Sequence, residues 1–93
     1  MVVGVVVWEL EVLGARSLKD KRRVIKSMGE RMRNRFNAGI AETAHHDVWQ
    51  RAQLAACVVS NERGHADSML DGIDRFVAAD ARVRILDTQR TLY

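Results

Sequence analysis

The segment Val2–Val12 is apolar at both parities before it begins to alternate, and that pattern suits a central strand far better than a helix. Val2, Gly4, Val6, Trp8, Leu10 and Val12 fall on one face; Val3, Val5, Val7, Glu9 and Glu11 fall on the other. β-branched side chains fit a pleated surface well. Apolar character on both sides argues for cover, at least in part, on each. A strand of this kind needs partners on both edges, and the rest of the chain supplies them.

Gly14, Ala15 and Arg16 make a turn, Ser17 suits a helix N-cap, and Asp20 stands where a capping box places its acid. From Leu18 onward, Ile25, Met28, Met32 and Phe36 recur at helical spacing with Val24 beside them. The helix is expected to end near Arg35, because Asn37 and Gly39 favour turns. Residues 38–43 read as a short edge strand and residues 44–47 as a polar turn. A second buried strand runs from Trp49 or Arg51 through Ser60. Ser60 and Asn61 are expected to cap a second helix with Glu62 in its first turn. Its apolar stripe is Ala66, Met69, Leu70, Ile73, Phe76 and Val77, closed by Asp80, and residues 82–91 form the last strand. The order is β-α-β-β-α-β. Right-handed crossovers then favour a four-stranded antiparallel sheet with both helices on one face, the α+β ferredoxin-like arrangement, as a single domain over residues 1–93.

A net charge of +3 tolerates an anionic partner without demanding one. The lone cysteine, Cys57, excludes an internal disulfide and lies in an apolar run, where a buried thiol is expected. No basic leader precedes the first strand, and no apolar stretch nears the roughly 20 residues that cross a bilayer. A cytoplasmic protein without a membrane partner is the expectation.

The first helix concentrates the charge. Lys19, Lys21, Arg22, Arg23, Lys26, Arg31, Arg33 and Arg35 are opposed there only by Asp20 and Glu30. Lys19, Arg22, Arg23, Lys26 and Arg33 project away from the apolar stripe and are the candidate nucleic-acid contacts, with Lys21 and Arg16 as lesser ones. Such a face binds phosphates through counterion release. The plainer account is a solvated face, with some arginines paired to Glu9, Glu11 or Glu42.

An RNA reader of the RRM type shares this topology but needs aromatic rings on its central strands. The strand from Arg51 to Val59 has none. Acylphosphatases share it too, yet the Leu13–Ser17 loop lacks their glycine pattern, and Arg16 is expected to pack or to meet solvent. No catalytic constellation emerges, so no catalytic residue, small-molecule substrate or cofactor is assigned and a non-enzymatic role is expected. His45, His46 and Asp47 read as a polar loop rather than a metal site, because adjacent histidines rarely reach one ion. Trp49 and Arg51 are the candidate partner-binding residues, tryptophan and arginine being enriched in interface hot spots. Val2 to Trp8 and Leu54 to Val59 are apolar on both faces, which implies a homodimer or higher oligomer through the uncovered side of the sheet.

Residues 16–24, Arg-Ser-Leu-Lys-Asp-Lys-Arg-Arg-Val, resemble the signature of the bacterial YlxP-like family. Further matching blocks are Arg33–Asn37, Ala41–Glu42, Asp47–Ala52 and Val59–Asn61, in the same order. Gly29 and the Gln89-Arg90-Thr91 ending depart from that pattern, and Gly29 is expected to loosen the helix. The resemblance implies the ferredoxin-like fold and a bacterial cytosolic setting. It also implies a link to RNA, since genes of the family often neighbour those of translation and ribosome assembly. An accessory factor that binds RNA or a ribosomal subunit through the first helix is therefore the leading expectation.

Overall fold

The computed structural model describes residues 1–93. Its elements are β1 (Val2–Val12), α1 (Leu18–Phe36), β2 (Gly39–Ala44), β3 (Arg51–Ser60), α2 (Arg63–Ala78) and β4 (Val83–Leu92). The sheet order is β2-β3-β1-β4 and every pairing is antiparallel. β1 is one of the two central strands, as expected, but the core covers only one of its two apolar faces.

Register decides which side chains meet the helices. Gly4, Val6, Trp8, Leu10 and Val12 are buried beside Ala52, Leu54, Ala56 and Val58 of β3, and Val3, Val5 and Val7 are only half-buried on the open face. Ile25, Met28 and Met32 of α1 and Ala66, Leu70, Ile73 and Val77 of α2 close this single core of 18 buried apolar residues. Trp8 is fully buried, and its indole nitrogen donates to Asp74 of α2 at 2.8 Å. Gly4 lets α2 approach the sheet: a Cβ there would stand 2.9 Å from Leu70 Cδ1 and 3.1 Å from Val58 Cγ2.

Cys57 is exposed, not buried. It pairs with Val5 on the open face, so the apolar run around it is split by the pleat into covered and uncovered halves. The start of the second helix also differs from expectation. Glu62 occupies the cap position without a side-chain cap bond, and the first turn contains no acid. Ser60 stands two residues ahead, where its hydroxyl accepts from the Glu62 amide and meets His65 Nδ1 at 3.0 Å. The first helix starts and stops as its residues direct. Ser17 Oγ accepts from the Asp20 amide, Asp20 reaches back to the Arg16 amide, and Asn37 ends the helix in the left-handed conformation. No helix is long and apolar enough to cross a membrane.

Candidate nucleic-acid interface on the first helix

Lys19, Arg22, Arg23, Lys26 and Arg33 are all exposed on α1. Lys19, Arg22, Lys26 and Arg33 follow one another at i, i+3, i+7 and i+14, a stripe about 21 Å long at 1.5 Å per residue. None of them forms an ion pair. Glu9 pairs with Arg51 and His45, Glu11 with Arg84, and Glu42 with Lys21 on the buried side of α1, so none of these acids reaches the exposed stripe.

Arg33 differs from the others. Its guanidinium folds back over Gly29, where an added Cβ would lie 3.3 Å from Nη1, and donates to the Ile40 carbonyl of β2 at 2.8 Å. Gly29 therefore leaves room for a side chain that ties the helix to the edge strand. Arg33 is a tether as well as a surface cation.

Lys21 is not a surface residue at all. It is fully buried, on the same stripe as Ile25, Met28 and Met32, and its ammonium points beneath the β2–β3 connection. Nζ donates to the carbonyls of His45 at 2.7 Å and Arg51 at 3.2 Å and stands 3.0 Å from Glu42 Oε2. That carboxylate oxygen lacks hydrogen-bond geometry despite the distance, so the contact with Lys21 is one of charge. A buried ammonium persists only when its charge and donors are matched in this way. The i, i+4, i+7, i+11 spacing of Lys21, Ile25, Met28 and Met32 was the available sign of its burial.

The same connection is held from the open face. Glu9 accepts from Gln53 at 2.6 Å, from Arg51 at 3.0 Å and from His45 Nε2 at 3.0 Å. The hydrogen bond from Gln53, with those from Arg51 and His45, keeps its carboxyl below the usual range. His45 sits at φ 63°, and His46 turns instead to the Glu42 carbonyl. The two histidines thus face different partners, and no group of three metal-binding side chains converges anywhere in the chain.

Trp49 and Arg51 end up with different surroundings. Trp49 lies in the connection, 40% exposed, beside Val48 at 41%. The carbonyl of its neighbour Gln50 accepts from the Val12 amide, which ties this end of the connection to β1. Arg51 is partly occupied by Glu9. Arg16 is exposed and lines an open cleft of about 360 Å³ with Gln50 and the Leu13–Ala15 turn. Sequence reasoning passed over a second cationic cluster, in which Arg31 and Arg35 lie against the rings of Phe36 and Phe76.

The chain is similar to three known proteins. A de novo designed protein with ferredoxin fold, solved by solution NMR, superposes with a TM-score of 0.52 at 19% identity, covering 99% of this chain and 84% of that one. That likeness shows the fold alone. An X-ray structure of an EAL/GGDEF domain protein from M. capsulatus is 15% identical with a TM-score of 0.47, over 96% of this chain and 62% of that one. The uncharacterized protein YlxP of Bacillus subtilis (strain 168) is 33% identical over 75 residues, 81% of this chain and 82% of that protein. Residues 3–90 match the family described as Protein of unknown function (DUF503), and this YlxP-like family is the one to which the chain belongs.

Proposed function

We propose that this chain is a non-enzymatic cytosolic accessory protein that binds RNA or a ribosomal particle through α1. The observation that carries the reading is that Lys19, Arg22, Arg23 and Lys26 are exposed and lack any carboxylate partner. Unpaired cations on a rigid helix are free to replace the counterions of a phosphate backbone. With four such contacts on a single strand, affinity should fall about 50-fold between 50 and 200 mM salt, from a slope of about −0.7 per phosphate. Co-sedimentation with ribosomal subunits and with total RNA at those two salt levels tests this. Binding lost at the higher salt and in an Arg22→Glu, Arg23→Glu, Lys26→Glu variant supports the proposal. No binding at the lower salt retires it.

A second reading has its own support. Val3, Val5, Val7, Ala55, Cys57 and Val59 share the open face, with Val59 60% exposed and Tyr93 hydrogen-bonded alongside Val3 at 71%. A continuous apolar surface of this kind fits a second copy of the chain, with Trp49 and Arg51 as anchors at its far end. Burial of that face would resist salt, in contrast to phosphate binding. Light scattering at micromolar concentration, together with the alkylation rate of Cys57, separates the two. A strict monomer with a freely reacting thiol removes the dimer.

A further inference from the structure

The C-terminal halves of α1 and α2 enclose a cationic furrow distinct from the Lys19–Arg33 stripe. Two open clefts of about 350 and 300 Å³ share Arg35, Phe76 and Ala79, and the furrow they form is also lined by Arg31 and Arg75. Phe36 and Phe76 meet edge to face at 5.8 Å, and Gly72 makes the space for Phe36, since a Cβ there would stand 3.2 Å from its ring. Arg31 lies over the Phe76 ring at 5.3 Å, and Arg35 over Phe36 at 5.3 Å and over Phe76 at 5.8 Å.

The charge balance of this furrow is one-sided. Arg31, Arg35 and Arg75 form no close ion pair, although the charge of Arg31 also acts on Asp80 across the cleft. The acid on its rim, Asp80, is engaged by Arg82: Oδ1 accepts from the backbone amide and Nε, and Oδ2 accepts from Nη2 at 2.8 Å. Three guanidinium groups are thus left with donors directed at solvent. Two of them are held against aromatic rings, which lowers the conformational entropy lost on binding. Guanidinium forks match phosphate oxygens in pairs, and their planes also stack on nucleobases.

We infer that this furrow holds a phosphorylated nucleoside, its phosphate on Arg31, Arg35 and Arg75 and its base stacked on the Arg35–Phe36–Phe76 cluster. The ligand is either a free nucleotide or an unpaired residue of an RNA strand; both offer the same chemistry. The site faces α2, whereas Arg33 carries its own stripe toward β2. It therefore shares no residue with the surface on which the RNA reading above rests.

The test follows arginine Nε–H and backbone amide resonances of the full chain during titration with AMP, with a five-nucleotide single-stranded adenylate, and with inorganic phosphate. Saturable shifts at Arg31, Arg35, Arg75 and Gly72 are expected with AMP or the oligonucleotide. Shifts with AMP identify a free nucleotide as sufficient, and shifts with the oligonucleotide alone identify an RNA residue. Arg31→Gln with Arg35→Gln should weaken binding at least about tenfold, as for loss of hydrogen bonds to a charged group. Arg75→Gln should weaken it less; it disturbs neither ring contact, so it keeps the test valid if the double variant unfolds. The Arg22→Glu, Arg23→Glu, Lys26→Glu chain should still bind AMP even where it no longer sediments with ribosomes. No saturable shift with either nucleotide, or inorganic phosphate binding as tightly as AMP, overturns the inference.

Discussion

Lys21→Met should be the most damaging single exposed-looking change on α1. Methionine keeps most of the side-chain volume, so the substitution removes charge and hydrogen bonds with little cavity. It strands the Glu42 carboxylate, whose side chain is only 18% exposed, and it orphans the carbonyls of His45 and Arg51. Breaking a buried ion pair from one side costs about 3–5 kcal/mol. For a chain of this length that is a fall in Tm of roughly 15–25 °C, at about 5 °C per kcal/mol. Thermal and urea denaturation followed by circular dichroism measure it, with Lys19→Met, at an exposed position two residues away, as the control expected to stay within about 0.5 kcal/mol. Adding Glu42→Leu to Lys21→Met should recover part of the loss, because the uncompensated charge is then gone. A Lys21→Met protein that melts within a few degrees of the unchanged chain would refute the assignment of Lys21 as a buried tie.

Gly4→Ala should lower stability by about 1–3 kcal/mol, since its methyl group meets buried Leu70 and Val58 and half-buried Leu92 at 2.9 to 3.2 Å; urea midpoints check this. Trp8→Phe should lose about 1–2 kcal/mol by leaving Asp74 without its donor, and Asp74→Asn should lose less. Acid should unfold the chain through Glu9 and Asp80, both held below the usual carboxylate range, Glu9 chiefly by Gln53 and Asp80 chiefly by Arg82. A carboxyl with a lowered pKa in the folded chain contributes stability above its unfolded value and loses it as pH falls through the folded one. Stability should therefore decline below about pH 4, and Glu9→Gln or Asp80→Asn should make that decline shallower in a pH-denaturation series.

Much of the fold was legible because periodicity and burial coincide here. The even-numbered face of β1 from Gly4 to Val12, the stripe Ile25–Met28–Met32 and the stripe Ala66–Leu70–Ile73–Val77 are all buried as their spacing directs. The exposure of Cys57 is not legible in the sequence, because an unbroken apolar run conceals which residues the pleat turns outward. Lys21 has the residue type of a surface position, yet its spacing from Ile25 places it inside. The pairing of Glu9, Glu11 and Glu42 could not be read from spacing, as each finds its partner on another element. The cluster of Arg31, Arg35, Phe36 and Phe76 depends on how α2 lies against α1, which neither helix encodes alone. Gly29 looked like a weakness, and only the path of Arg33 across it explains the residue.

The centre of the sheet is also its earliest-made strand. β1 pairs with β3 in a register that joins Val2 to Ser60, and with β4 in one that joins Gly4 to Leu92. During synthesis a valine-rich segment with two apolar sides therefore emerges long before either neighbour exists, while β2 and β3 can form their hairpin locally. Long-range closures of this kind slow folding and leave sticky intermediates. The nascent chain consequently passes through an interval in which its most aggregation-prone stretch is unsheltered, and the burden of that interval falls on whatever holds the chain as it leaves the ribosome.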